Sequence, residues 1–308
     1  MRDRESTVKI ASLVLLSLFV CGILSPSNEV AAWSNGGYSG DPNNPDYGTH
    51  DWIAEHAMMM LPANESAWLS QNRNAFLYGT EAPDNSGASL EGHSGYGDTT
   101  HHHNYYSGST CTDDSAAQRA SEEYQKALNV IKSNGSLALA AWYAGAMTHY
   151  IDDVACWAHV ISGESSAAHS KYESQVDTVT GNYGASTFTV SFDGTLETVS
   201  AHDASVKLGL NTYGDSGGAY TAIWMNATFN TGWSSVSVWS TGFKNRTAES
   251  LNLAVNIVAA ALHTLAVDAG AAGIPAGSPM IPLDLLLVIA VVAVIAIVVI
   301  YLVFARRR

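Results

Sequence analysis

The chain has 308 residues, enough for one large domain or two smaller ones, and carries 14 basic against 28 acidic residues. Its formal net charge of -14 excludes a protein that coats nucleic acid, because such a protein needs a basic face. We therefore expect no stable nucleic-acid partner. A small phosphate-bearing substrate is compatible with this charge, because bound metal ions can supply local positive charge.

The N-terminal stretch has the pattern of a secretory signal peptide. The charged start MRDRESTVK precedes the apolar IASLVLLSLFVCGIL, which is shorter than a typical membrane span, and then SPSNEVAA, which ends in small residues. We predict a signal over residues 1–32, with cleavage after Ala32 and Trp33 as the first residue of the mature chain. An uncleaved N-terminal anchor is the alternative.

Most of the segment that follows has the apolar spacing of α-helices. It is clearest in THDWIAEHAMMML, in DDSAAQRASEEYQKALNVIKS, around His149, and in NRTAESLNLAVNIVAAALHTLAVD. The stretch STFTVSFDGTLETVS differs, because it alternates in two arms about Asp193-Gly194, which is typical of a β-hairpin. We therefore predict a mostly α-helical domain over residues 33–268 with a small β-hairpin insertion.

The C-terminal end has the pattern of a membrane anchor. A Gly/Pro-rich tether at 269–282 precedes an apolar run from Leu285 to Ala305, which as a helix would span roughly 31 Å and match a bilayer core. We predict a transmembrane helix over 283–305, a cytoplasmic tail at 306–308, and a single-pass protein of the cell membrane with its domain outside. Four Asn-x-Ser/Thr sequons agree with export: Asn64, Asn134, Asn226 and Asn245.

The stretch THYIDDVACWAH places metal-binding residue types in an otherwise apolar helix. Burying imidazoles and a carboxylate costs free energy unless a metal ion or hydrogen bonds compensate. His149 and Asp153 are four residues apart, so they share a helix face and can bind one ion together. His159 follows six residues later, turned away from Asp153, and is better placed for a second ion.

A second pair lies further along the chain, where HSKYE puts His169 and Glu173 at the same spacing. This pair can complete a second site with His159. One such pair arises in helices by chance, but two pairs with a histidine between them indicate two ions. Two ions held by imidazole and carboxylate are suited to polarising a phosphoryl group and activating water. Further candidates upstream are His50, Asp84 and the run His101 to His103, among which spacing does not choose.

These motifs resemble the zinc-dependent phospholipase C family, whose mostly α-helical fold is shared with the single-strand-specific zinc nucleases. The family motif HSKYE is present without change, and the family's mature chain begins with a Trp, as Trp33 would here. The other matching positions, in chain order, are His50, Asp84, His103 with Tyr105 after it, His149, Asp153 and His159. The resemblance extends over roughly Trp33 to Asp268.

The resemblance implies three zinc ions. One would be held by Asp84, His103, His149 and Asp153, a second by His159, His169 and Glu173, and a third by Trp33 and His50 with Asp153 as a bridge. Asp84 would be the general base. The implied activity is that of a phospholipase C, acting on phospholipid head groups outside the cell. The family's acidic residue that helps to hold choline is replaced by Gly36, and its frequent Tyr after the motif Asp by Asn85.

Two other functions fit the same residues. One is a single-strand nuclease or other phosphodiesterase, and the other is a surface glycoprotein that uses zinc only to hold its fold. Removal of the signal leaves Cys111 and Cys156. Our hypothesis is that these two cysteines pair and join the two metal-bearing segments, and the alternative is two free thiols.

Overall fold

The computed structural model describes residues 33, 35–180, 188–214, 217–232 and 241–270. The predicted signal at 1–32 and membrane helix at 283–305 lie outside these residues. Their α-helices, numbered in chain order, are α1 (Thr49–Met60), α2 (Ala63–Gln71), α3 (Arg73–Glu81), α4 (Ser115–Lys132), α5 (Leu137–Asp152), α6 (Ser166–Thr180), α7 (Ala201–Gly214), α8 (Ala222–Gly232) and α9 (Thr241–Asp268). The predicted mostly helical fold is confirmed, and the four stretches with helical spacing lie in α1, α4, α5 and α9.

Helix α5 is the centre of the domain. Its sequence is apolar on all sides, as expected for a helix surrounded by protein, and every residue from Leu139 to Asp152 is buried. The Ser136 hydroxyl caps its N-terminus by accepting from the Leu139 backbone amide. Its most extensive contacts are with α4 and α3. The C-terminal end of this buried helix carries His149.

Two glycines allow α3 and α5 to approach closely. A Cβ at Gly145 would overlap the carbonyl oxygen of Phe76, and one at Gly79 would overlap that of Trp142. Only a residue without a side chain fits at either position. The contact has a functional consequence, because it brings the carbonyl oxygen of Thr80 within 2.7 Å of His149 Nδ1.

Replacing Gly145 with alanine should lower the free energy of unfolding by roughly 2–3 kcal/mol, the cost of overpacking a rigid contact, although alanine favours helix. Chemical denaturation measures this change. A Cβ at Gly214, where α7 ends, would meet no described group within 4 Å, so Gly214→Ala should leave stability nearly unchanged. Equal stability of Gly145→Ala and the parent would contradict the close approach.

Helix α9 includes the stretch Gly242–Asp268, which is long enough to cross a membrane and whose most apolar 18 residues have a mean hydropathy of 1.6. Its most apolar part is 78% buried inside the protein, and α9 packs mainly against α1. These contacts are those of a core helix. The stretch is distinct from the predicted anchor at 283–305.

The predicted hairpin about Asp193-Gly194 is wrong, because the described residues 188–200 contain no strand. This segment has no regular secondary structure, and its backbone bonds to side chains of α9. Asn252 Oδ1 accepts from the Ser191 amide (2.7 Å), Asn256 Oδ1 from the Asp193 amide (3.1 Å), and Thr264 Oγ1 from the Val199 amide (2.9 Å). The described antiparallel pairs lie elsewhere, Ser89–Leu90 with His93–Ser94 and Tyr105–Ser107 with Thr110–Asp113.

Candidate metal centre

The candidate site forms where α5 ends. The α-helix stops at Asp152, and two short 3-10 turns follow, Asp153–Ala155 and Trp157–His159. Between them Cys156 is extended, with φ -80° and ψ 130°, so the chain turns away from the helix axis. His159 therefore does not continue the helix of His149, as the spacing argument assumed. The turn directs it toward α6, which carries His169 and Glu173.

The first group of side chains contains His50, His149 and Asp153, all fully buried. Asp153 Oδ2 lies 3.3 Å from His149 Nε2, and Asp153 Oδ1 lies 3.6 Å from His50 Nε2. The imidazole rings of His50 and His149 stack with centroids 3.9 Å apart. The structure thus brings together three predicted ligands from α1, α5 and the first 3-10 turn.

His102, not the predicted His103, joins this group. Its Nδ1 lies 2.9 Å from Asp153 Oδ2 and 3.2 Å from His149 Nε2. The chain here is extended, with residues 102, 104 and 106 buried and the alternate residues turned outward. His103 therefore points away from the centre, stacks on Tyr105, and lies 3.4 Å from Asp113. We replace His103 with His102 in the candidate ligand set.

Asp84 lies beside these residues at the open edge of the group. Its Oδ1 is 3.5 Å from His102 Nε2 and 3.7 Å from His149 Nε2. Its Oδ2 accepts a hydrogen bond from the side-chain amide of Asn35 (3.2 Å). The side chains of Asp84 and His102 are 8% and 10% exposed, whereas those of His149 and Asp153 are fully buried. A ligand from solvent would therefore reach the group past Asp84 and His102.

The second group contains His159, His169, Glu173 and, unexpectedly, Cys156. His169 Nε2 lies 3.2 Å from His159 Nε2 and 2.7 Å from Glu173 Oε1, and His159 Nε2 lies 3.4 Å from the same oxygen. All four side chains are buried. The predicted pairing of His159 with the HSKYE motif thus agrees with the geometry.

Trp33 lies next to the first group. Its side chain is fully buried, and its indole N–H donates to the Asp152 carbonyl oxygen (3.0 Å). Its ring also packs near Tyr172 of α6, with centroids 5.5 Å apart. The hydrogen bond holds residue 33 beside the end of α5, where the metal-type side chains begin.

Three oxygen atoms outside the predicted set orient the histidines. His50 Nδ1 lies 2.5 Å from Asp152 Oδ1, His149 Nδ1 donates to the Thr80 carbonyl, and His102 Nε2 donates to the Asp98 carbonyl (2.9 Å). Each contact leaves the other ring nitrogen directed at Asp153, as is usual for metal-binding histidines. Sequence reasoning missed Asp152, and it named His102 only as one of three candidates in the run HHH. The consecutive acids in IDDV and the run HHH were the available signals.

The electrostatics of the site are dominated by crowded acidic groups. Among protein groups alone, burial raises the pKa of Asp84 to about 7, against the opposing effect of His102. Burial lowers the pKa of His102, but Asp153, Asp84 and Asp98 more than offset it and raise the value to about 10. Burial would raise the pKa of Asp153, but His149 and His102 hold it below its usual value. The carboxylates thus depend on nearby positive charge.

These residues fit a cation on direct structural grounds. Several buried imidazole and carboxylate atoms of this centre have no hydrogen-bond partner among the described residues: His50 Nε2, Asp152 Oδ2, Asp153 Oδ1, His169 Nδ1 and Glu173 Oε2. Leaving such polar atoms buried and unpaired is costly. Imidazole nitrogens and carboxylate oxygens that converge in this way are the donor set of zinc.

The proposed disulfide is wrong, because Cys111 and Cys156 are both free thiols. Cys111 lies on the strand Thr110–Asp113, and its thiol donates to the Asp113 carbonyl oxygen (3.1 Å). Cys156 is fully buried in the second group. The two thiols therefore face different surroundings.

Comparisons with known proteins give one family match and two similar structures. Residues 49–220, more than half of the chain, match the sequence profile described as zinc dependent phospholipase C. No curated protein matches the chain. The fold is similar to that of the alpha toxin from Clostridium absonum, with a TM-score of 0.50 and 19% identity over 76% of this chain. The alpha-toxin of an avian strain of Clostridium perfringens gives a TM-score of 0.46 and 15% identity, covering 77% of this chain and 66% of the toxin.

The chain spans 65% of the Clostridium absonum toxin, and at this identity the likeness shows the fold alone. The profile match carries the assignment, because it includes the HSKYE motif and all candidate ligands from His50 onward. It confirms the predicted resemblance to this family. The chain belongs to the zinc-dependent phospholipase C family.

Proposed function

We propose that this protein hydrolyses the phosphodiester bond of phospholipids, as a phospholipase C, with zinc held at the end of α5. The observation that supports this most directly is the convergence of Asp84, His102 and His149, two of which also contact Asp153, with Asp84 and His102 at the edge nearest to solvent. A site used only to hold the fold has no need of ligands at an edge open to solvent.

The proposed ligand set has three parts. One ion is held by Asp84, His102, His149 and Asp153, and a second by His159, His169 and Glu173. A third is held by His50 and by the α-amino group and carbonyl of Trp33, with Asp153 shared. The third site rests on cleavage after Ala32, and its support is the anchoring of the Trp33 indole on Asp152, beside Asp153.

Zinc bound here would supply Lewis acidity to the phosphate oxygens and to water. Within the protein, Asp152 and the Thr80 carbonyl fix the rings of His50 and His149. Asp84 lies at the open edge, where it can accept a proton from the attacking water. It must be ionised to do so, and cationic neighbours favour that state.

The experiment is a hydrolysis assay of the purified full chain on phosphatidylcholine vesicles. We expect release of phosphocholine and diacylglycerol, loss of release with a zinc chelator, and its recovery when zinc is added back. Single-stranded DNA serves as the second substrate. Cleavage of DNA alone would indicate a nuclease and contradict the phospholipase proposal. Cleavage of neither substrate by the zinc-loaded protein would favour a surface protein that uses zinc only to stabilise its fold.

We expect this protein to select choline head groups less strictly than the family pattern implies. Gly36 stands at the choline-holding acidic position, has a φ of +74°, and would bring any Cβ against the Tyr47 carbonyl. No carboxylate fits there. We therefore expect phosphatidylethanolamine vesicles to be hydrolysed at a rate comparable with phosphatidylcholine vesicles in the same assay.

We also propose that the protein acts from the outer face of a cell membrane. This proposal rests on the signal pattern at 1–32 and the apolar run at 283–305. The sequon residues Asn64, Asn134 and Asn245 are exposed, as glycosylation requires, and Asn226 is half-buried. Recovery of the protein in the membrane fraction, with the domain accessible to protease from outside, would support this location, and a soluble protein would contradict it.

A further inference from the structure

We propose that the Cys156 thiolate is a fourth ligand of the second ion, so that this site is closed by Cys156, His159, His169 and Glu173. The inference rests on the proposed zinc site and adds a ligand that the family resemblance does not assign. A second ion with four protein ligands would have a structural role, because catalytic zinc sites keep a coordination position open for water or substrate.

The geometry points to this assignment. One donor atom from each of the four residues, including the Cys156 sulfur, lies within 4.8 Å of every other. Zinc–nitrogen and zinc–oxygen bonds of about 2.05 Å in a tetrahedron place neighbouring donors roughly 3.3 Å apart. Two of the three distances among the other donors match that separation, 3.2 and 3.4 Å from His159 Nε2 to His169 Nε2 and Glu173 Oε1. The third, 2.7 Å between His169 Nε2 and Glu173 Oε1, is a hydrogen bond that would have to lengthen around an ion.

The local chain explains why these donors meet. Cys156 directly precedes the turn Trp157–His159, and His159 is its last residue. His169 and Glu173 are one helical turn apart on α6. The extended backbone at Cys156 ends the first turn and places its side chain beside His159. Two short, rigid elements thus offer two donors each, an arrangement common to structural zinc sites.

All four donors of this group are less exposed than Asp84 and His102 at the edge of the first group, which are 8% and 10% exposed. Cys156 is 0% exposed, and His159, His169 and Glu173 are 5%, 1% and 2% exposed. Glu173 Oε2 is buried without a hydrogen-bond partner among the described residues, although its other oxygen contacts both histidines. Four protein donors fill a tetrahedral ion, which leaves no position for water or phosphate. We therefore assign catalysis to the ions at the open edge.

The alternative is that Cys156 is only a small apolar side chain in the core, as many buried cysteines are. The two differ in one chemical event. Coordination breaks the S–H bond, forms a sulfur–metal bond and releases one proton to the buffer, with no change of oxidation state. Apolar packing leaves the thiol protonated.

Cobalt(II) reports that event, because a sulfur-bound cobalt ion has a charge-transfer band in the near ultraviolet that imidazole and carboxylate ligands lack. We expect this band in the full chain loaded with cobalt. It should disappear in Cys156→Ser and persist in Cys111→Ser, the matched control outside the group. With zinc, X-ray absorption should show one sulfur neighbour at about 2.3 Å. In Cys156→Ser the affinity for one ion should fall by at least tenfold, since even outer partners of a metal are worth this much.

Cobalt bound without the band, or a band that survives in Cys156→Ser, would overturn the proposal. If Cys156→Ser does not fold, the parent spectrum and the zinc absorption data decide alone. The outcome is separable from that of the hydrolase. Lipid hydrolysis without sulfur coordination would support the proposed function and exclude Cys156 as a ligand. Sulfur coordination without hydrolysis would support the Cys156 ligand and contradict the proposed function. Failure to bind any ion would contradict both proposals.

Discussion

Asp153→Ala is expected to lose zinc, stability and phosphodiesterase activity together. The Asp153 carboxylate is the anion shared by three histidines, at 2.9 Å from His102, 3.3 Å from His149 and 3.6 Å from His50. Removing one partner of a buried charged group costs about 3–5 kcal/mol. Loss of bound metal removes several kcal/mol of transition-state stabilisation, so turnover should fall on the order of a thousandfold or more.

The measurements are zinc per chain by elemental analysis, thermal unfolding, and vesicle hydrolysis. Asp203→Ala is the control, because this carboxylate is 74% exposed at the surface and its contacts are with Ser200 and His202, which lie outside the metal groups. It should change stability by less than about 0.5 kcal/mol. An Asp153→Ala protein with normal zinc content and normal unfolding would show that the convergence at Asp153 holds no metal.

Asp84→Asn should give the opposite combination, a folded protein that keeps most of its zinc and turns over roughly a hundredfold more slowly, the usual scale for a missing general base. The amide oxygen can still ligate, and the side chain keeps its size. Asn35, which donates to Asp84, also has a buried Oδ1 without a partner, so a flip of its amide can accept from the new Asn.

The comparison of zinc content with turnover decides the role of Asp84. A loss of zinc in proportion to activity would make Asp84 a ligand and not the base. Near-normal turnover on every phosphodiester that the parent cleaves would show that Asp84 is not the general base. It would also show that any zinc ligation by Asp84 does not affect the rate. Asn85→Ala, beside it in the chain but bonded to Ser39 and Glu81, tests whether any change in this loop has the same effect.

Helical spacing predicted the fold well because the helices are amphipathic or wholly buried, and both states leave a periodic record in the sequence. The end of α5 was not predictable in the same way. No Gly or Pro follows Asp152, so the helix has no local stop signal before His159. The two turns after the break pack mainly against α7 and α8, and the His159 side chain contacts His169 and Glu173 of α6. These contacts are tertiary information.

The histidine run shows a second limit. The three residues of HHH are equivalent in composition, and the choice between His102 and His103 depends on which face of an extended chain meets α5. A shift of one residue reverses that choice. The error at Asp193-Gly194 is of the same kind. Alternation records an extended backbone, but it does not record whether the backbone bonds to another strand or to a helix.

The asparagine contacts of α9 have a geometric consequence. Asn252 and Asn256 are four residues apart on a helix, which is about 6 Å, and Ser191 and Asp193 are two residues apart along the chain, which is at most about 7 Å. The spacing of the two asparagines on α9 thus matches the spacing of the two backbone amides that they bind. The helix therefore sets how many residues the neighbouring segment can have between these two hydrogen bonds. Phe192, between the two bonded amides, is 46% exposed, so its identity is free. The number of residues is not free, because a chain shorter by one would match the helix at one asparagine and miss it at the next.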